Sequence, residues 1–332
     1  MKKSLLILFG IFVLILGGCS SGPNGSASGK GSDHLQKITL MLDWYPNAVH
    51  SFLYTAEQKG YFKEQGLDVE FKMPANTNDP LKMTASNQID MALSYQPEIL
   101  MARSEGIPVQ SFAAIVRHPL NQLMVPKNGN IHSPKDLEGK SVGYPSSPLD
   151  EALVRTMVKA DGGNPDKVMM TDIGFNLIPS MVTNKIDSLM GGFINHEKLL
   201  LDKEHHPVRT LDPTKYGVPD YYELVLAASE RSLKEKPQVY KKVMAAMTKG
   251  QQYVEKHPEE GLSILMNHEE ESSPLDKEVE TKSLKILLPL MEEKGKPFGY
   301  QEEETWNNVS QWLYDNKITK NKVDAKSAFR NL

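Results

Sequence analysis

The sequence predicts an α/β protein of two similar lobes that face one cleft, and three observations support this fold class. The 332 residues are enough for two domains of ordinary size. Strand patterns and helical patterns alternate along much of the chain, which is typical of sheets covered by helices. A short segment near residue 83 is repeated near residue 181, which favours two related lobes.

Composition excludes several classes of protein. Apolar residues make up 39% of the chain and charged residues 24%, so we expect a sizeable core and exclude a disordered or fibrous chain. The formal net charge of −4 gives no reason to expect a nucleic-acid partner. The single cysteine excludes a disulfide framework and a structural zinc cluster, because both need several thiols.

Residues 1–18 are predicted to be a secretory signal peptide. Lys2 and Lys3 precede an apolar run over residues 5–16, which is short for a spanning helix of about 20 residues. The Leu-Gly-Gly-Cys sequence that ends at Cys19 resembles the bacterial lipobox, so we expect Cys19 to carry a lipid after cleavage. The alternative is an ordinary secretory signal in which Cys19 is incidental.

Residues 19–36 are predicted to be the lipid anchor and a flexible tether. The stretch over 20–33 is rich in Gly, Ser and Asn, a composition that cannot build a core. Cleavage before Cys19 leaves 36 basic and 42 acidic side chains, so the body should contact the membrane through the lipid alone. Anchor, tether and body together predict a lipoprotein on the extracytoplasmic face of the bacterial cell membrane.

The first lobe is predicted to open as β-α-β-α-β. Period-two alternation indicates the strands, and helical spacing with a stop at Gly60 indicates the first helix. In order, the elements are a strand over 37–42, a helix over 52–60, a strand over 67–71, a helix over 80–87 and a strand over 89–94.

The second lobe is predicted to repeat this order. Its elements are a strand over 140–144, a helix over 149–160, a strand over 168–173, a helix over 178–184 and a strand over 186–190. After about residue 223 helical patterns dominate, with an amphipathic stretch over 237–255. The expected boundaries are 37–123 plus 224–332 for lobe I and 124–223 for lobe II.

The repeat that relates the lobes is short. Residues 83–90 (Met-Thr-Ala-Ser-Asn-Gln-Ile-Asp) resemble residues 181–187 (Met-Val-Thr-Asn-Lys-Ile-Asp). Both read as a helix end, an Asn turn and an Ile-Asp pair that enters a strand. A spacing of about 97 residues is too long for a solenoid and suits two similar lobes. Chance similarity over eight positions is the alternative.

Four clusters of polar and aromatic residues each follow a predicted strand, at 43–50, 94–98, 144–150 and 191–197. Ligands of open α/β sheets bind where strands end, so the clusters predict a ligand cleft. The predicted ligand-binding residues are Asp43, Trp44, Asn47, Tyr95, Glu98, Tyr144, Ser146, Ser147, Asn195 and Glu197. As alternatives, Tyr45 and Phe193 are equally explained by packing, and His50 by capping of the next helix.

The residue types in these clusters indicate the chemistry of the ligand. Aromatic faces stack on flat rings, and carboxyl and amide oxygens accept hydrogen bonds from ring amino groups. A phosphorylated ligand would need Arg, Lys or a Gly-rich loop, and the clusters contain none. We therefore expect a small, neutral or weakly basic aromatic heterocycle, with Trp44 as the strongest single candidate for the stacking side chain.

Catalytic and metal motifs do not occur beyond residue 36. The nucleotide-binding, zinc-protease and serine-hydrolase signatures are all missing from that part of the sequence. His205 and His206 are adjacent, so their side chains should point apart and not share a metal. We accordingly predict no catalytic residue, no metal and no cofactor.

Residues 38–330 resemble the solute-binding proteins of the thiamine-pyrimidine family. The matching stretches are Leu-Asp-Trp-Tyr-Pro-Asn at 42–47 with His50, 59–69, 89–92 and 136–140. The run Gly-Tyr-Phe-Lys-Glu-Gln-Gly-Leu at 60–67 is shared by many type II periplasmic-type binding proteins and marks the fold. The Asp-Trp-Tyr-Pro-Asn turn is narrower and indicates the pyrimidine branch. The resemblance implies two lobes joined by a hinge, with a helical C-terminal part.

The same family contains pyrimidine synthases, and this chain departs from them at four places. In the synthases, a Lys holds pyridoxal phosphate and a His is consumed in the reaction. Ser94 and Glu98 stand at the corresponding positions of this chain. The cysteine cluster of the synthases falls on residues 220–223, and their phosphate loop falls on residues 145–148. The resemblance therefore implies a binding protein and not an enzyme.

The resemblance further implies capture of N-formyl-4-amino-5-aminomethyl-2-methylpyrimidine, a thiamine breakdown product, for an ABC permease and its ATPase subunit. By this resemblance, Trp44 should stack on the heterocycle and Asp43 should bond a ring nitrogen. Tyr95, Asn195 and Glu197 are predicted to bind the ligand only because of their positions in the clusters.

Two alternatives to this function stay open. One is an extracellular deformylase or amidohydrolase that acts on the same pyrimidine through Asp43, His50 and Glu98. The other is the same fold with riboflavin, an alkanesulfonate or a polyamine, although a sulfonate would need cationic donors that the clusters lack.

Overall fold

Two five-stranded sheets form the framework of the protein. The computed structural model describes residues 35–77, 79–270 and 273–332, so the predicted signal peptide, Cys19 and most of the tether lie outside the described residues. The strands are β1 (Gln36–Met41), β2 (Leu67–Lys72), β3 (Met91–Ser94), β4 (Val109–Val116), β5 (Leu123–Pro126), β6 (Ser141–Tyr144), β7 (Met169–Asp172), β8 (Ser188–Leu189), β9 (Val208–Leu211) and β10 (Leu224–Ser229).

Helices connect these strands and form most of the C-terminal part. They are α1 (Ser51–Gln58), α2 (Tyr61–Glu64), α3 (Asp79–Ala85), α4 (Gln96–Ser104), α5 (Pro148–Ala160), α6 (Leu177–Val182), α7 (Glu197–Lys203), α8 (Glu230–Glu235), α9 (Pro237–Lys256), α10 (Pro258–Met266), α11 (Lys277–Met291), α12 (Glu303–Asp315) and α13 (Ala325–Ala328). Among the described residues, no helix combines the length and the apolar character needed to cross a membrane.

The two sheets have the same arrangement of strands. The first sheet has the order β2-β1-β3-β10-β4 and the second the order β7-β6-β8-β5-β9. In each sheet the first three strands are parallel and the fourth is antiparallel to its neighbours. The chain leaves the first sheet after β4 and returns to it at β10. The lobe boundaries 37–123 plus 224–332 and 124–223 stay a prediction.

The internal repeat predicted from sequence is confirmed by its hydrogen bonds. Asp90 Oδ2 accepts hydrogen bonds from the backbone N–H and the hydroxyl of Thr39, at 2.8 and 3.0 Å. Asp187 Oδ2 accepts the same pair from Ser141, at 2.8 Å each. Both copies place the preceding asparagine in the left-handed region, with φ of 55° at Asn87 and 54° at Asn184. Each aspartate thus fixes the start of one strand, β3 or β8, to the neighbouring strand of its sheet, β1 or β6.

The strands β4 and β10 were not predicted, and the helical part expected after residue 223 instead begins with β10. All residues of both strands are buried, so they lack the polar alternation that reveals a strand with one wet face. The short strands β5 and β9 and the helix α4 were also missed, and residues 96–98 of the second cluster form the first turn of that helix.

Apolar packing is continuous between the sheets. One buried cluster contains Leu100 of α4, Val125 of β5, Leu153 of α5 and Val225 of β10. Helix α12 adds four buried side chains at helical spacing to this cluster, those of Trp306, Val309, Trp312 and Leu313.

Close packing of α9 on α1 predicts an unusual glycine effect. A Cβ added at Gly250 would collide with the carbonyl oxygen of Phe52 and lie 3.0 Å from Ala56 Cβ. Glycine-to-alanine changes inside helices usually stabilise by about 0.5–1 kcal/mol, but overpacking costs about 1–3 kcal/mol. We expect Gly250→Ala to lower the free energy of unfolding by about 1–2 kcal/mol, measured by urea denaturation.

The matched control is Lys242→Ala on the exposed face of the same helix, which should change that free energy by less than about 0.5 kcal/mol. A Gly250→Ala variant as stable as wild type would contradict the close approach of α1 and α9.

Candidate ligand-binding site

A pocket with about 610 Å³ of empty space lies where the strands of the two sheets end. All four clusters predicted from the sequence contribute to its wall. The lining residues are Asp43, Trp44, Asn47, Val49, Thr77, Tyr95, Asn121, Pro145, Ser147, Leu149, Asp150, Gly191, Phe193, His196, Glu197 and Glu223. The chain therefore brings together segments that are far apart in sequence, as expected for strand ends of two facing sheets.

The predicted ligand-binding residues divide into two groups. Six of them line the pocket, namely Asp43, Trp44, Asn47, Tyr95, Ser147 and Glu197. Glu98 instead lines an adjoining cavity that shares Asp43, Thr77 and Tyr95 with the pocket. That any of these residues contacts a ligand stays a prediction.

Tyr144, Ser146 and Asn195 are not among the residues that line the pocket. The Ser146 hydroxyl donates to Asp172 Oδ1 at 2.6 Å. The Asn195 amide donates to Ser283 Oγ at 3.0 Å, and its side chain is buried against α11. Position in a cluster identified the right loops, but these local contacts decide which side chains face the pocket.

The turn after β1 is fixed by a chain of buried hydrogen bonds. The backbone N–H of Asn47 donates to His50 Nδ1 at 3.1 Å, which leaves the proton of the imidazole on Nε2. That Nε2–H donates to Asp43 Oδ1 at 3.0 Å, and the Tyr95 hydroxyl donates to Asp43 Oδ2 at 3.2 Å. The His50 side chain therefore completes the capping box of the short 3-10 helix Ala48–His50, and it makes no capping bond to α1, the helix that it was expected to cap. Both oxygens of Asp43 are engaged before any ligand arrives.

An aromatic cluster spans the two sheets at one side of the pocket. The ring of Trp44 lies 4.5 Å from that of Phe175 and 6.0 Å from that of Tyr45, measured between centroids. Tyr45 and Phe175 are 5.2 Å apart. Phe175 was missed, although it follows β7 as a lone aromatic beside Gly174, the same kind of signal as the four clusters. Trp44 is half-buried, so part of its face stays available for stacking.

Glu223 is a pocket residue that sequence reasoning missed. Its Oε2 accepts hydrogen bonds from the backbone N–H groups of Leu120 and Asn121, at 2.6 and 2.8 Å. Leu120 and Asn121 lie on the segment from β4 to β5, whereas Glu223 lies on the segment that returns to β10. One carboxyl thus joins both connections between the sheets. The signal in the sequence was an acid between two tyrosines and an apolar run.

Three acids at the pocket have raised pKa values because burial disfavours their charged forms. Burial raises the pKa of Glu98 to about 7, although Ser147 and Ser94 donate to its carboxyl at 2.6 and 3.3 Å. It likewise raises the pKa of Asp150 to about 7 and that of Glu223 to about 8. Near neutral pH these groups can therefore donate as well as accept hydrogen bonds.

The single cationic side chain of the pocket wall is already paired. His196 lies between Glu197 Oε1, 2.9 Å from Nδ1, and Glu280 Oε1, 3.4 Å from Nε2. Burial would lower the pKa of His196, but the two carboxylates outweigh it and raise the pKa to about 10. Glu280 also accepts from the backbone N–H of Ala48 at 2.7 Å. The imidazolium links the loop after β8 to α11. Because two carboxylates already pair with it, its charge is not available to bind an anionic ligand.

The lining favours a basic heterocycle over an anion or a phosphorylated cofactor. Four carboxyl groups line the pocket (those of Asp43, Asp150, Glu197 and Glu223), and no lysine or arginine belongs to the lining. A pyridoxal phosphate Schiff base does not fit this wall, because it needs an amine and a cradle for phosphate. Within the described part of the chain, no group of three or more His, Cys, Asp or Glu could hold a metal ion.

Comparison with known proteins gives both close and distant relatives. A family model described as NMT1/THI5 like matches residues 47–261. The chain is 40% identical over 333 residues to the formylaminopyrimidine-binding protein of Halalkalibacterium halodurans, covering 100% of this chain and 99% of that protein. It is also 27% identical over 228 residues to the 4-amino-5-hydroxymethyl-2-methylpyrimidine phosphate synthase THI5 of Saccharomyces cerevisiae, covering 66% of this chain and 67% of the synthase.

Solved structures show the same two-lobed α/β fold at low identity. The alkanesulfonate-binding protein SsuA of Xanthomonas axonopodis pv. citri has a TM-score of 0.68 and 12% identity, covering 89% of this chain and 98% of its own. The Candida albicans protein CA3427, described as having the generic periplasmic binding protein fold, has a TM-score of 0.64 and 19% identity, covering 90% and 97%. The predicted fold class is confirmed.

The buried ion triad around His196 predicts a large loss of stability on neutralisation. His196→Gln leaves Glu197 and Glu280 buried without their cation, and we expect the free energy of unfolding at pH 7 to fall by about 3 kcal/mol. Because the pKa of His196 is raised, its contribution should be complete below about pH 6.5 and disappear as the pH rises through about 10. Urea denaturation at several pH values measures both effects.

The control is His118→Gln, which breaks the exposed pair with Asp220 and should cost less than about 1 kcal/mol. Equal losses in the two variants would show that the triad adds nothing beyond a surface ion pair.

Proposed function

The chain belongs to the NMT1/THI5-like family, and on that basis we propose that it is the ligand-binding component of an ABC importer. Its ligand is N-formyl-4-amino-5-aminomethyl-2-methylpyrimidine, captured for thiamine salvage. The observation that carries this proposal is a pocket between two sheets that combines an aromatic cluster with four carboxyl groups and no lysine or arginine. The identity to a formylaminopyrimidine-binding protein over the whole chain supports the choice of ligand.

Binding would bury the heterocycle between the lobes. Trp44 offers a ring face in the lining, and the carboxyl groups of the lining match the amino group and ring nitrogens of a pyrimidine. Hydrogen bonds bridge the two sides of the cleft, from the Thr77 hydroxyl to Pro145 O at 2.7 Å and from Ser147 Oγ to Glu98 at 2.6 Å. These bonds join the two sides of the cleft, so opening of the cleft must break them. Closure around a ligand would then be a hinge motion that forms them again.

The ligand would leave the protein chemically unchanged. A hydrolase needs a base or nucleophile free to reach its substrate. His50 is fully buried with both ring nitrogens bonded, and Glu98 is held by two serine hydroxyls. Ser94 stands where the related synthases need an amine. These contacts support a carrier, even though family members of another branch are named synthases.

The N-terminal part of the proposal concerns location and partners. Cleavage before Cys19 and lipidation of its thiol would hold the body at the extracytoplasmic face of the membrane by the tether. There the loaded protein would deliver its ligand to a permease driven by an ATPase subunit. The Leu-Gly-Gly-Cys sequence and the Gly- and Ser-rich segment that follows it support this arrangement.

Removal of the stacking ring tests the proposed ligand. We expect wild-type protein to give a binding isotherm with formylaminopyrimidine in titration calorimetry. Trp44→Ala should weaken this binding by about 30-fold or more, because a buried aromatic contact to a ligand is worth about 2 kcal/mol or more. The unfolding transition should stay cooperative, and mass spectrometry should recover the ligand intact after incubation.

The matched control is Tyr314→Ala, an exposed aromatic outside the pocket that is 45% exposed, which should leave the affinity unchanged. Absence of heat with any aminopyrimidine would reject the proposed ligand, and recovery of a deformylated product would reject the carrier function.

The lipid anchor is testable in a bacterial host that processes lipoproteins. We expect the wild-type chain to enter the detergent phase of a Triton X-114 separation, and its N-terminal peptide to carry a diacylglycerol mass on Cys19. Cys19→Ser should move the protein to the aqueous phase, whereas Ser20→Ala should behave as wild type. A wild-type protein found wholly in the aqueous phase would leave an ordinary secretory signal as the better interpretation.

A further inference from the structure

Asn121 organises two acids at the floor of the pocket. Its backbone N–H donates to Glu223 Oε2 at 2.8 Å, and its side-chain amide donates to Asp150 Oδ1 at 2.7 Å. Its Oδ1 accepts from the backbone N–H of Gly191 at 2.9 Å. Asp150 and Glu223 are 2% and 1% exposed, so a single asparagine fixes the positions of two buried carboxyl groups that both line the pocket.

Each of these acids has one oxygen left over. In the part of the chain that the structure describes, hydrogen bonds reach Asp150 at Oδ1 and Glu223 at Oε2. Asp150 Oδ2 lies against Gly191 of the pocket wall, 3.0 Å from where a Cβ would stand on that glycine. No lysine or arginine belongs to the pocket lining. A ligand in the pocket can therefore bond Asp150 Oδ2 and Glu223 Oε1, since a carboxyl oxygen accepts a hydrogen bond when ionised and can donate one when protonated.

We infer that Asp150 and Glu223 are the specificity-determining pair of this pocket, and that together they hold one proton and recognise the amidine edge of the ligand. An amidine edge is a ring nitrogen next to an exocyclic amino group, and it offers one acceptor and one donor. The ionised acid accepts from the amino group, and the protonated acid donates to the ring nitrogen. This inference rests on the proposed function and extends it to the recognition of one edge of the heterocycle.

The surroundings decide which acid keeps the proton. Asp150 lies in the first turn of the 13-residue helix α5, whose N-terminus favours a negative charge. Glu223 lies on an extended segment and has the higher pKa, about 8 against about 7, with burial as the main cause in both. Asp150 is therefore the acceptor and Glu223 the donor near neutral pH, although the two titrate as a coupled pair.

Several other titratable groups face the pair. Glu98 raises the pKa of Asp150, and Asp150 raises that of Glu223. The hydroxyl of Tyr221 lies 3.4 Å from Glu223 Oε2. Asp43, Tyr95 and the His196–Glu197 pair complete the titratable wall. Among these groups only Glu223 has its pKa raised to about 8, so a change in affinity near pH 8 reports the loss of the proton from Glu223.

The pair should distinguish an amino from an oxo group on the ring. A 4-oxo analogue of formylaminopyrimidine presents a ring N–H donor and a carbonyl acceptor, which reverses the pattern and leaves both acids mispaired. Transfer of the proton from Glu223 to Asp150 would pair both acids again, and it costs about tenfold in affinity because the two pKa values are about 8 and about 7. We therefore expect wild-type protein to bind the 4-amino compound about tenfold more tightly than the 4-oxo compound at pH 7.

Two variants separate the roles of the acids. Asp150→Asn replaces a fixed acceptor by an amide that can turn either way, and it removes the charge that helps to raise the pKa of Glu223, so the preference should fall to about threefold or less. In Glu223→Gln the carbonyl oxygen still accepts from Leu120 and Asn121, and the NH₂ group replaces the carboxyl O–H as donor. The affinity of this variant for the 4-amino compound should therefore no longer depend on a proton at position 223.

The pH dependence gives a second measurement that does not depend on substitution of Asp150. Wild-type affinity for the 4-amino compound should fall about tenfold from pH 7 to pH 9, because Glu223 must regain a proton to donate. Glu223→Gln should abolish this decline. Glu255→Gln and Asp166→Asn are the matched controls outside the pocket, since Glu255 also has a pKa raised to about 7, and both should behave as wild type.

The possible results of these measurements test the role of the acid pair and the proposed function separately. Absence of wild-type binding to both compounds at every pH would reject the proposed function. Binding of the 4-amino compound with equal affinity for the 4-oxo compound, or with a preference unchanged by Asp150→Asn, would reject the pair and leave the function intact. A decline with pH that persists in Glu223→Gln would also reject the pair. Circular dichroism at each pH establishes that the compared proteins are folded.

Discussion

The carboxyl of Glu223 joins the two chain segments that pass between the sheets, and the geometry of the pocket depends on this contact. One oxygen accepts from the backbone of Leu120 and Asn121 on the outgoing segment, while Glu223 itself lies on the returning one. Asn121 in turn bonds Asp150 and Gly191. The floor of the pocket and the connection between the lobes are therefore one hydrogen-bonded unit. Burial of an acid without a cation is tolerable because its raised pKa keeps it largely protonated.

The same fold can serve ligands of opposite charge, because loops at the strand ends determine the chemistry of the pocket. A solved structure with this fold is a binding protein for alkanesulfonates, which are anions. Here carboxyl groups from both sheets converge, and the one imidazole is neutralised by Glu197 and Glu280. Likeness of fold thus says nothing about the ligand, whereas the charges of the lining residues exclude whole classes of ligand.

The sequence predicted the elements whose patterns are local and missed those that depend on distant partners. Alternation of buried and exposed residues marks β2, and the matching Asp90 and Asp187 turns led to β3 and β8, which are themselves buried. β4 and β10 are buried on all sides, so no alternation marks them. In the pocket, position after a strand identified Asp43, Trp44 and Ser147. Phe175 and Glu223 carried local signals that were not recognised, whereas the role of Asn121 comes from its bonds to Glu223, Asp150 and Gly191 on other segments, which local sequence cannot reveal.

The return of β10 to the first sheet, where it lies between β3 and β4, determines the order in which the two sheets can be completed. β10 pairs with β3 and β4, whose residues precede it by more than a hundred positions, whereas the second sheet is built wholly from β5 to β9 between Leu123 and Leu211. During synthesis the second sheet has all of its strands while the first still lacks the strand that joins β3 to β4. Its β3 and β4 edges must stay unpaired until residue 229 emerges, and such edges are prone to association with other chains. Secretion in an unfolded form would postpone both sheets until the whole chain is present.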